Sequence, residues 1–185
     1  MRAAASGGRR WLLGLALAAV PFVHALAEDF AFMPKGGRVL LLAWMGSPPN
    51  VTELRDLLRA QRTETQWREF VVTRSQTLSE REIATLSSYL AVNLPLAEDV
   101  VKKTDIVTTL PPDGRDLAWN ECQSCHSLFA SHLTQKRTLQ GWLNVFLSPF
   151  HREMKMTAKQ REEFAHYSTL NMPMKVEDVP PDLRF

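Results

Sequence analysis

The chain repeats itself at a spacing of 75 to 78 residues. Three pairs of segments recur in the same order: 62–67 with 137–142, 78–96 with 156–174, and Gly37-Arg38 with Gly114-Arg115. The offsets are 75, 78 and 77, so only short loop insertions separate the two copies. One such match could arise by chance, but three in one order indicate a duplicated domain. The repeat therefore predicts two similar structural units, one after the other.

Both copies carry the signals of α-helices, and neither shows the alternating pattern of a strand. In each copy, the threonine of an Arg-Thr pair is the expected N-cap of one helix. A capping box predicts the start of a second helix, and a proline predicts its end. These residues are Thr63, Ser79, Glu82 and Pro95 in the first copy and Thr138, Thr157, Gln160 and Pro173 in the second. By analogy with the second copy, the short apolar run 39–44 is also interpreted as a helix. The predicted fold class is all-α.

Reactive side chains are concentrated in the segment 121–127, ECQSCHS. Cys122 and Cys125 are the only cysteines of the chain, and His126 follows the second directly. This C-x-x-C-H spacing is the attachment site of a c-type haem: each thiol adds to one vinyl group, and the imidazole becomes the proximal iron ligand. A thioredoxin-like pair needs a preceding strand, whereas residues 114–120 read as a short helix, and a zinc site needs a second ligand pair. We expect one covalent haem c.

The first copy lacks the groups that would anchor a haem. At an offset of 77, Met45, Pro48 and Pro49 stand at the positions that correspond to Cys122, Cys125 and His126. The first copy is therefore expected to carry no covalent haem.

The sequence offers several candidates for the second axial ligand of the iron and does not decide among them. Four methionines of the second copy are candidates: Met154, Met156, Met172 and Met174. A histidine is the alternative, from His132, His151 or His166, although His132 is only six residues past His126. A lone histidine is more often a hydrogen-bonded or surface residue than a ligand.

Residues 105–185 resemble a class I-type monohaem cytochrome c, similar to the cytochrome subunits of periplasmic dehydrogenases such as sulfite dehydrogenases. The resemblance rests on the segment 122–128, on Arg137-Thr138 followed by Trp142, and on a capped C-terminal helix. It implies that the methionine ligand comes from the loop before that helix, which is Met154, with Met156 next. The tail 171–174 departs from the family pattern and keeps Met172 as an alternative.

The N-terminal residues 1–27 are interpreted as a signal peptide. Arg2, Arg9 and Arg10 form a basic region, an apolar run follows, and Ala25-Leu26-Ala27 forms a cleavage site. An uncleaved anchor is the alternative. Haem attachment of this type takes place outside the cytoplasm, so export and the C-x-x-C-H motif agree. We expect a periplasmic protein with no membrane span after cleavage.

Charge and composition set the remaining expectations. Without the three leader arginines, the chain has 19 basic and 20 acidic residues, which gives a formal net charge of −1. This charge does not indicate a nucleic-acid-binding surface.

The sequence predicts three units after the leader: a haemless domain at 28–96, a linker at 97–112 that ends in two prolines, and a haem domain at 113–185.

The leading functional interpretation is an electron-transfer protein rather than an enzyme. Its redox partner would be a dehydrogenase, a soluble cytochrome or a terminal oxidase. An enzyme would need an open iron and a catalytic distal residue, and a dihaem peroxidase a second C-x-x-C-H, which the sequence lacks. A haem-based sensor of a small ligand, or a structural subunit of a redox complex, is the other alternative. The haemless domain is expected to dock a partner or to cover an apolar face of the haem domain.

Overall fold

A computed structural model describes residues 30–123 and 125–185, and within these ranges all regular structure is helical. The α-helices are α1 (Gly37–Met45), α2 (Val51–Arg59), α3 (Glu64–Arg74), α4 (Glu80–Asn93), α5 (Glu98–Val101), α6 (Gly114–Leu117), α7 (Leu139–Val145), α8 (Pro149–Arg152) and α9 (Ala158–Asn171). Short 3₁₀ or π-helical turns lie at Val107–Thr109, Ala118–Cys122, Phe129–Leu133, Val176–Asp178 and Pro181–Leu183. The all-α prediction is confirmed. None of the helices described is long and apolar enough to span a bilayer.

The helices begin where their local signals predict. Ser79 caps α4 and Thr157 caps α9, each in a reciprocal capping box with the residue three positions later. Thr63 and Thr138 cap α3 and α7 by accepting hydrogen bonds from backbone N–H groups in the first turn. The helices α4 and α9 end two residues before Pro95 and Pro173, and the apolar run 39–44 lies inside α1, as expected.

Two apolar cores form, one in each half of the chain. The first is built mainly from α1 to α4 and contains the buried residues Leu40, Leu41, Leu54, Leu58, Trp67, Val71, Leu86 and Leu90. The second lies around α7 and α9 and contains Leu117, Leu133, Trp142, Phe146, Met156, Phe164, Tyr167 and Met172.

The segments at the edges of the predicted domains are packed rather than loose. Within 97–112, interpreted as a linker, Val101, Ile106 and Leu110 are buried in the first core. Met33, which precedes α1, is 2% exposed and belongs to the second core instead. The N-terminal part of the first half therefore crosses over to pack on the second half.

The two halves repeat the same contacts at the offsets seen in the sequence. The N–H of Leu96 donates to the carbonyl of Leu58 at 2.9 Å, and the N–H of Met174 donates to the carbonyl of Leu133 at 2.7 Å. A Cβ added at Gly37 would lie 2.1 Å from Tyr89 Cβ, and one added at Gly114 would lie 2.1 Å from Tyr167 Cβ. In both halves, a glycine thus lets the first helix approach the capped helix closely.

Helices α4 and α9 pack against each other and join the halves through buried polar pairs. Asn93 Nδ2 donates to Glu163 Oε2 at 3.2 Å, and Asn171 Nδ2 donates to Thr85 Oγ1 at 3.1 Å. The first asparagine corresponds to the second at the offset of 78, and Thr85 corresponds to Glu163. The two bonds are therefore related by an approximate two-fold axis between the helices.

Other contacts follow the same approximate symmetry. Ser88 Oγ lies 2.8 Å from His166 Nδ1, and these two residues correspond to each other at the offset of 78. Each half also supplies a tyrosine hydroxyl that donates to a proline carbonyl ahead of the other half's first helix: Tyr89 to Pro111 at 2.9 Å and Tyr167 to Pro34 at 2.7 Å. The halves are thus tied at both ends of the α4–α9 contact.

One fully buried carboxylate, that of Asp113, caps a helix in each half. Its Oδ1 accepts from the N–H groups of Arg115 and Asp116 at the start of α6, at 3.0 and 3.1 Å. Its Oδ2 accepts from the N–H groups of Arg38 and Val39 in α1, at 3.1 and 3.4 Å. Burial raises the pKa of Asp113, and the Asp116 carboxylate adds to the shift. The helix that leads into the C-x-x-C-H motif is thereby fixed against the first half.

Candidate cofactor site

A cavity of about 780 Å³ opens in the second half of the chain. Its lining residues all lie between Glu121 and Phe164, so the first half contributes none of them. Cys122, Cys125 and His126 all line it. Ligand and cofactor pockets typically enclose roughly 300 to 1,000 Å³. The segment singled out by its reactive residues therefore faces a cavity of cofactor size.

The environment of Cys122 is unlike that of a catalytic thiol. Cys122 is half-buried at the end of the π-helical turn, and burial, followed by the charge of Glu121, raises the pKa of its thiol to about 12. Catalytic and redox-active cysteines have lowered pKa values instead. The residues directly before the motif are helical, so the strand that precedes a thioredoxin-like pair is not present there.

A site for a bare metal ion is also not formed by the residues described. Within 30–123 and 125–185, no group of three or more His, Cys, Asp or Glu side chains is arranged to hold one. The structural zinc site considered from the sequence has no support in this part of the chain.

The cavity contains polar groups that fit an anionic end of a cofactor. Trp142 is 2% exposed, and its Nε1–H has no hydrogen-bond partner among the residues described. The guanidinium of Arg137, which also lines the cavity, lies 5.2 Å from the centre of the Trp142 ring. A haem carries two propionate carboxylates, and an unpaired buried donor beside a cation suits such a group. The residues present therefore fit a haem at the anchoring end. The acidic end is less distinctive, because the first half repeats the same pair: Trp67 Nε1 also has no partner among the residues described, and the Arg62 guanidinium lies 4.5 Å from its ring centre.

His132, one of the alternative ligands, is a core residue. Its ring packs against Trp142 and Phe164, with ring centres 5.1 Å apart in each case. Its Nε2 lies 2.8 Å from Ser168 Oγ, whose hydroxyl donates to the Phe164 carbonyl at 2.6 Å. Nε2 must therefore be the donor in the first of these bonds. Burial, followed by the charge of Arg137, lowers the pKa of His132 to about 3, so the ring is neutral.

The candidate methionines differ in whether they line the cavity. Met154 is half-buried and lines it. Met156 and Met172 are each only 7% exposed, belong to the second core, and are not among the lining residues. Met174 packs against the same core. Of the sulfur ligands predicted from the sequence, the structure brings Met154 alone to the cavity that holds the C-x-x-C-H motif.

Two histidines besides His126 line this cavity, the buried His132 and the half-buried His151. His151, in the short helix α8, lines it, and its ring centre lies 5.9 Å from that of His126 with the two ring planes at 90°. The other remaining candidate, His166, lies at the α4–α9 contact instead. The sequence interpretation ranked His151 below the methionines. The signal that bears on it is Pro149, which begins α8 and sets His151 on a helical turn.

Large aromatic side chains occupy the corresponding place in the first half. Val145, which lines the cavity, corresponds at the offset of 75 to Phe70. The Phe70 ring contacts Trp67 and Trp44, with centres 5.6 and 6.0 Å apart, and the guanidinium of Arg74 lies 3.8 Å from its centre. The first half thus combines a bulkier ring at this position with the absence of the anchoring groups.

Comparison with known proteins provides no further guide. No protein-family model, curated protein or solved structure matches this chain. Its role must therefore be inferred from its own residues and their geometry.

Proposed function

We propose that this protein is a c-type cytochrome that carries one covalent haem in its second half and transfers single electrons. One observation carries the proposal: a cavity of about 780 Å³ is lined at once by Cys122, Cys125 and His126. The spacing of these residues is that of haem attachment, and they are the chain's only cysteines.

Each residue then has a defined role. Cys122 and Cys125 would form the two thioether links, and His126 would be the proximal ligand. The bound haem would supply one-electron chemistry at its iron. Trp142 and Arg137 would lie beside its acidic edge. The apolar side chains that line the cavity would limit the access of water to the haem.

The fold as a whole is proposed to be a tandem of two cytochrome c-like domains. The repeated backbone bonds, the repeated glycine–tyrosine contacts and the equivalent capped helices α4 and α9 support this arrangement. The first domain is the haemless copy. Because none of its residues lines the cavity, it does not cover that opening, and its proposed role is to hold the haem domain against a partner subunit.

The partner is proposed to be another redox protein: a dehydrogenase, a soluble cytochrome or a terminal oxidase. Phe150 lines the cavity and is 89% exposed, and Leu147 nearby is 66% exposed. Exposed apolar side chains at a cofactor edge are typical of a contact surface. A partner that docks here would approach the haem by its accessible edge.

Export is part of the proposal. The predicted leader, residues 1–27, lies outside the residues that the structure describes. The thioether links are made outside the cytoplasm, so a haem-bearing chain with this leader is expected in the periplasm.

The test is to purify the full protein from a host that matures c-type cytochromes, and to titrate it with reductant. We expect one reversible one-electron step, a low-spin spectrum in both states, and no change when carbon monoxide is added to the reduced protein. The matched control is Cys122→Ser with Cys125→Ser, which should abolish covalent haem. A high-spin iron that binds carbon monoxide would contradict electron transfer and favour a sensor or an enzyme.

A further inference from the structure

We propose that His151, rather than a methionine, is the second axial ligand, so that the haem iron is held between two histidines. This inference rests on the proposed function, because it concerns the iron of that same haem. Four observations carry it: the distance between two imidazole rings, the hydrogen bond that fixes one of them, the way its helix is held, and the positions of the competing residues.

The separation of the two rings matches a shared metal ion. The centres of His126 and His151 are 5.9 Å apart, and both rings line the same cavity. Two metal–nitrogen bonds of about 2 Å each, plus the distance from each nitrogen to its own ring centre, add up to roughly 6 Å. The same spacing with perpendicular planes is also an edge-to-face ring contact, so the distance alone does not assign the ligand. It does place the two imidazoles close enough together, in one cavity, to share one iron.

The second observation concerns the other nitrogen of His151. Its Nδ1 lies 3.1 Å from the backbone carbonyl of Val145, the last residue of α7. Since a carbonyl can only accept, Nδ1 carries the hydrogen in this bond, which leaves Nε2 as the nitrogen that could bind a metal. Histidines that bind metals usually donate their other ring N–H to a carbonyl or carboxylate, which fixes the tautomer and the ring orientation. His151 has that arrangement.

The helix that carries His151 is itself held in place. The N–H of Arg152 donates to the carbonyl of Ser148 at 2.9 Å, which closes the α8 turn. The guanidinium of Arg161, on α9, donates to the carbonyls of Arg152 and Met154 at 3.0 and 3.1 Å. A ligand on a fixed turn loses little conformational entropy when it binds a metal.

The competing residues are used differently. His132 donates from Nε2 to Ser168 and is packed between aromatic rings, and His166 bonds to Ser88 at the α4–α9 contact. Met154 lines the cavity, but its side chain also packs against the second core, as an ordinary apolar residue does. His132 lines the same cavity and its buried Nδ1 has no hydrogen-bond partner among the residues described, but its Nε2 is held by Ser168 and its ring is fixed between Trp142 and Phe164. Of the four candidates, His151 is the one whose ring contacts that of His126 among the residues described.

A histidine in place of a methionine as second ligand would alter the reduction potential of the haem. Histidine–methionine ligation raises the reduction potential of a haem relative to histidine–histidine ligation. With His151 as ligand, the protein would work at a lower potential than the class I-type resemblance implies. It would then suit a donor that is a stronger reductant.

The experiment uses the full haem-bearing protein and begins with the unmodified chain. We expect its oxidised form to be low-spin, to lack the sulfur-to-iron charge-transfer band in the far red, and to give the electron paramagnetic resonance spectrum of two imidazole ligands. His151→Ala should become high-spin and return to low-spin when imidazole is added. Met154→Leu, the matched control, should leave the spectrum and the reduction potential unchanged. His151→Met should remain low-spin, gain the sulfur-to-iron band and raise the potential.

The outcomes separate the inference from the proposed function. A sulfur-to-iron band in the unmodified protein that disappears in Met154→Leu would overturn the inference and leave the cytochrome intact. A five-coordinate, high-spin iron in the unmodified protein would overturn it as well. The spectrum of the unmodified protein already distinguishes a histidine ligand from a methionine ligand. The inference can therefore be overturned even if the His151 variants fail to fold. Absence of covalent haem would instead overturn the proposed function.

Discussion

At the scale of single residues, the junction between the halves holds an unusual buried acid. Glu163 is 2% exposed; it accepts from the Gly114 N–H at 3.1 Å and from Asn93 at 3.2 Å. Burial, followed by the charge of Asp113, raises the pKa of Glu163 to about 8. At neutral pH this carboxyl is therefore mostly protonated in the folded protein.

This acid predicts a pH dependence of stability. Between its ordinary pKa of 4.5 and the folded value of about 8, the folded state holds a proton that the unfolded state has released. The free energy of unfolding should therefore fall as pH rises through that window, by up to about 1.4 kcal/mol per pH unit. Glu163→Gln, which mimics the neutral acid, should lose this slope.

Urea unfolding at pH values from 5 to about 9 measures the effect. The matched control is Glu162→Gln, which alters an exposed carboxylate one residue earlier and should keep the slope of the unmodified protein. An equal slope in Glu163→Gln and the unmodified protein would show that this residue is not the titrating group.

The residues of the site differ in how far the sequence could predict them. Cys122, Cys125 and His126 are singled out by spacing alone, because a c-type haem requires that spacing in any fold. The residue proposed as second ligand is not, since it depends on which side chain between α7 and α9 lines the cavity. Glu163 gives no sequence signal either, because its raised pKa comes from residues of other elements.

At the scale of secondary-structure elements, the caps were predictable and the close helix contacts were not. A capping box is a local pattern, so Ser79 and Thr157 identify the starts of α4 and α9 without tertiary information. The burial of Val101 and Ile106 depends instead on tertiary structure: they pack against apolar side chains of α1 to α4 that would otherwise be exposed. The charge of the segment 97–112 and its closing prolines predict a linker but carry no information on this packing.

Loss of a cap should destabilise the protein by a modest amount. Thr157→Ala removes the hydroxyl that accepts from the Gln160 N–H at 3.2 Å, and should lower the free energy of unfolding by about 1 kcal/mol. Thr65→Ala, at an exposed position inside α3, is the control and should change stability by less than about 0.5 kcal/mol. Chemical denaturation compares the two, and equal effects would contradict the role of the cap.

The glycine–tyrosine contacts predict a larger effect. In Gly114→Ala the new Cβ would lie 2.1 Å from Tyr167 Cβ and 3.0 Å from the Glu163 carbonyl, so α6 and α9 must move apart. Overpacking of this kind typically costs about 1–3 kcal/mol. Gly141→Ala, whose nearest neighbours are 3.3 Å away, should have a smaller effect. Thermal unfolding of both variants checks this, and an unchanged midpoint in Gly114→Ala would contradict the close packing.

At the scale of the whole molecule, the repeat predicted two similar halves but not how they meet. The contact faces of α4 and α9 carry Thr85, Ser88, Asn93, Glu163, His166 and Asn171. Such residues look like a solvent-facing surface in the sequence, because polar side chains are usually exposed. Five of them are buried and His166 is half-buried, because each one finds its partner on the other helix.

This contact predicts that the halves unfold together. Separating them would leave buried polar groups such as Glu163 and Asn171 without their partners, which is costly. In urea, the far-ultraviolet circular dichroism, which reports both halves, and the Soret absorption, which would report the second half if it carries the proposed haem, should give one coincident transition. Two separate midpoints would show that the halves are independent.

In the proposed cytochrome, one haem is covalently bound at Cys122 and Cys125 of an exported chain. The mass of the denatured protein, purified from a host that makes c-type cytochromes and recorded together with its visible spectrum, tests this attachment. We predict the mass of residues 28–185 plus one haem, with a Soret band that stays with the polypeptide. A mass equal to that of the polypeptide alone, without Soret absorption, would contradict covalent haem attachment.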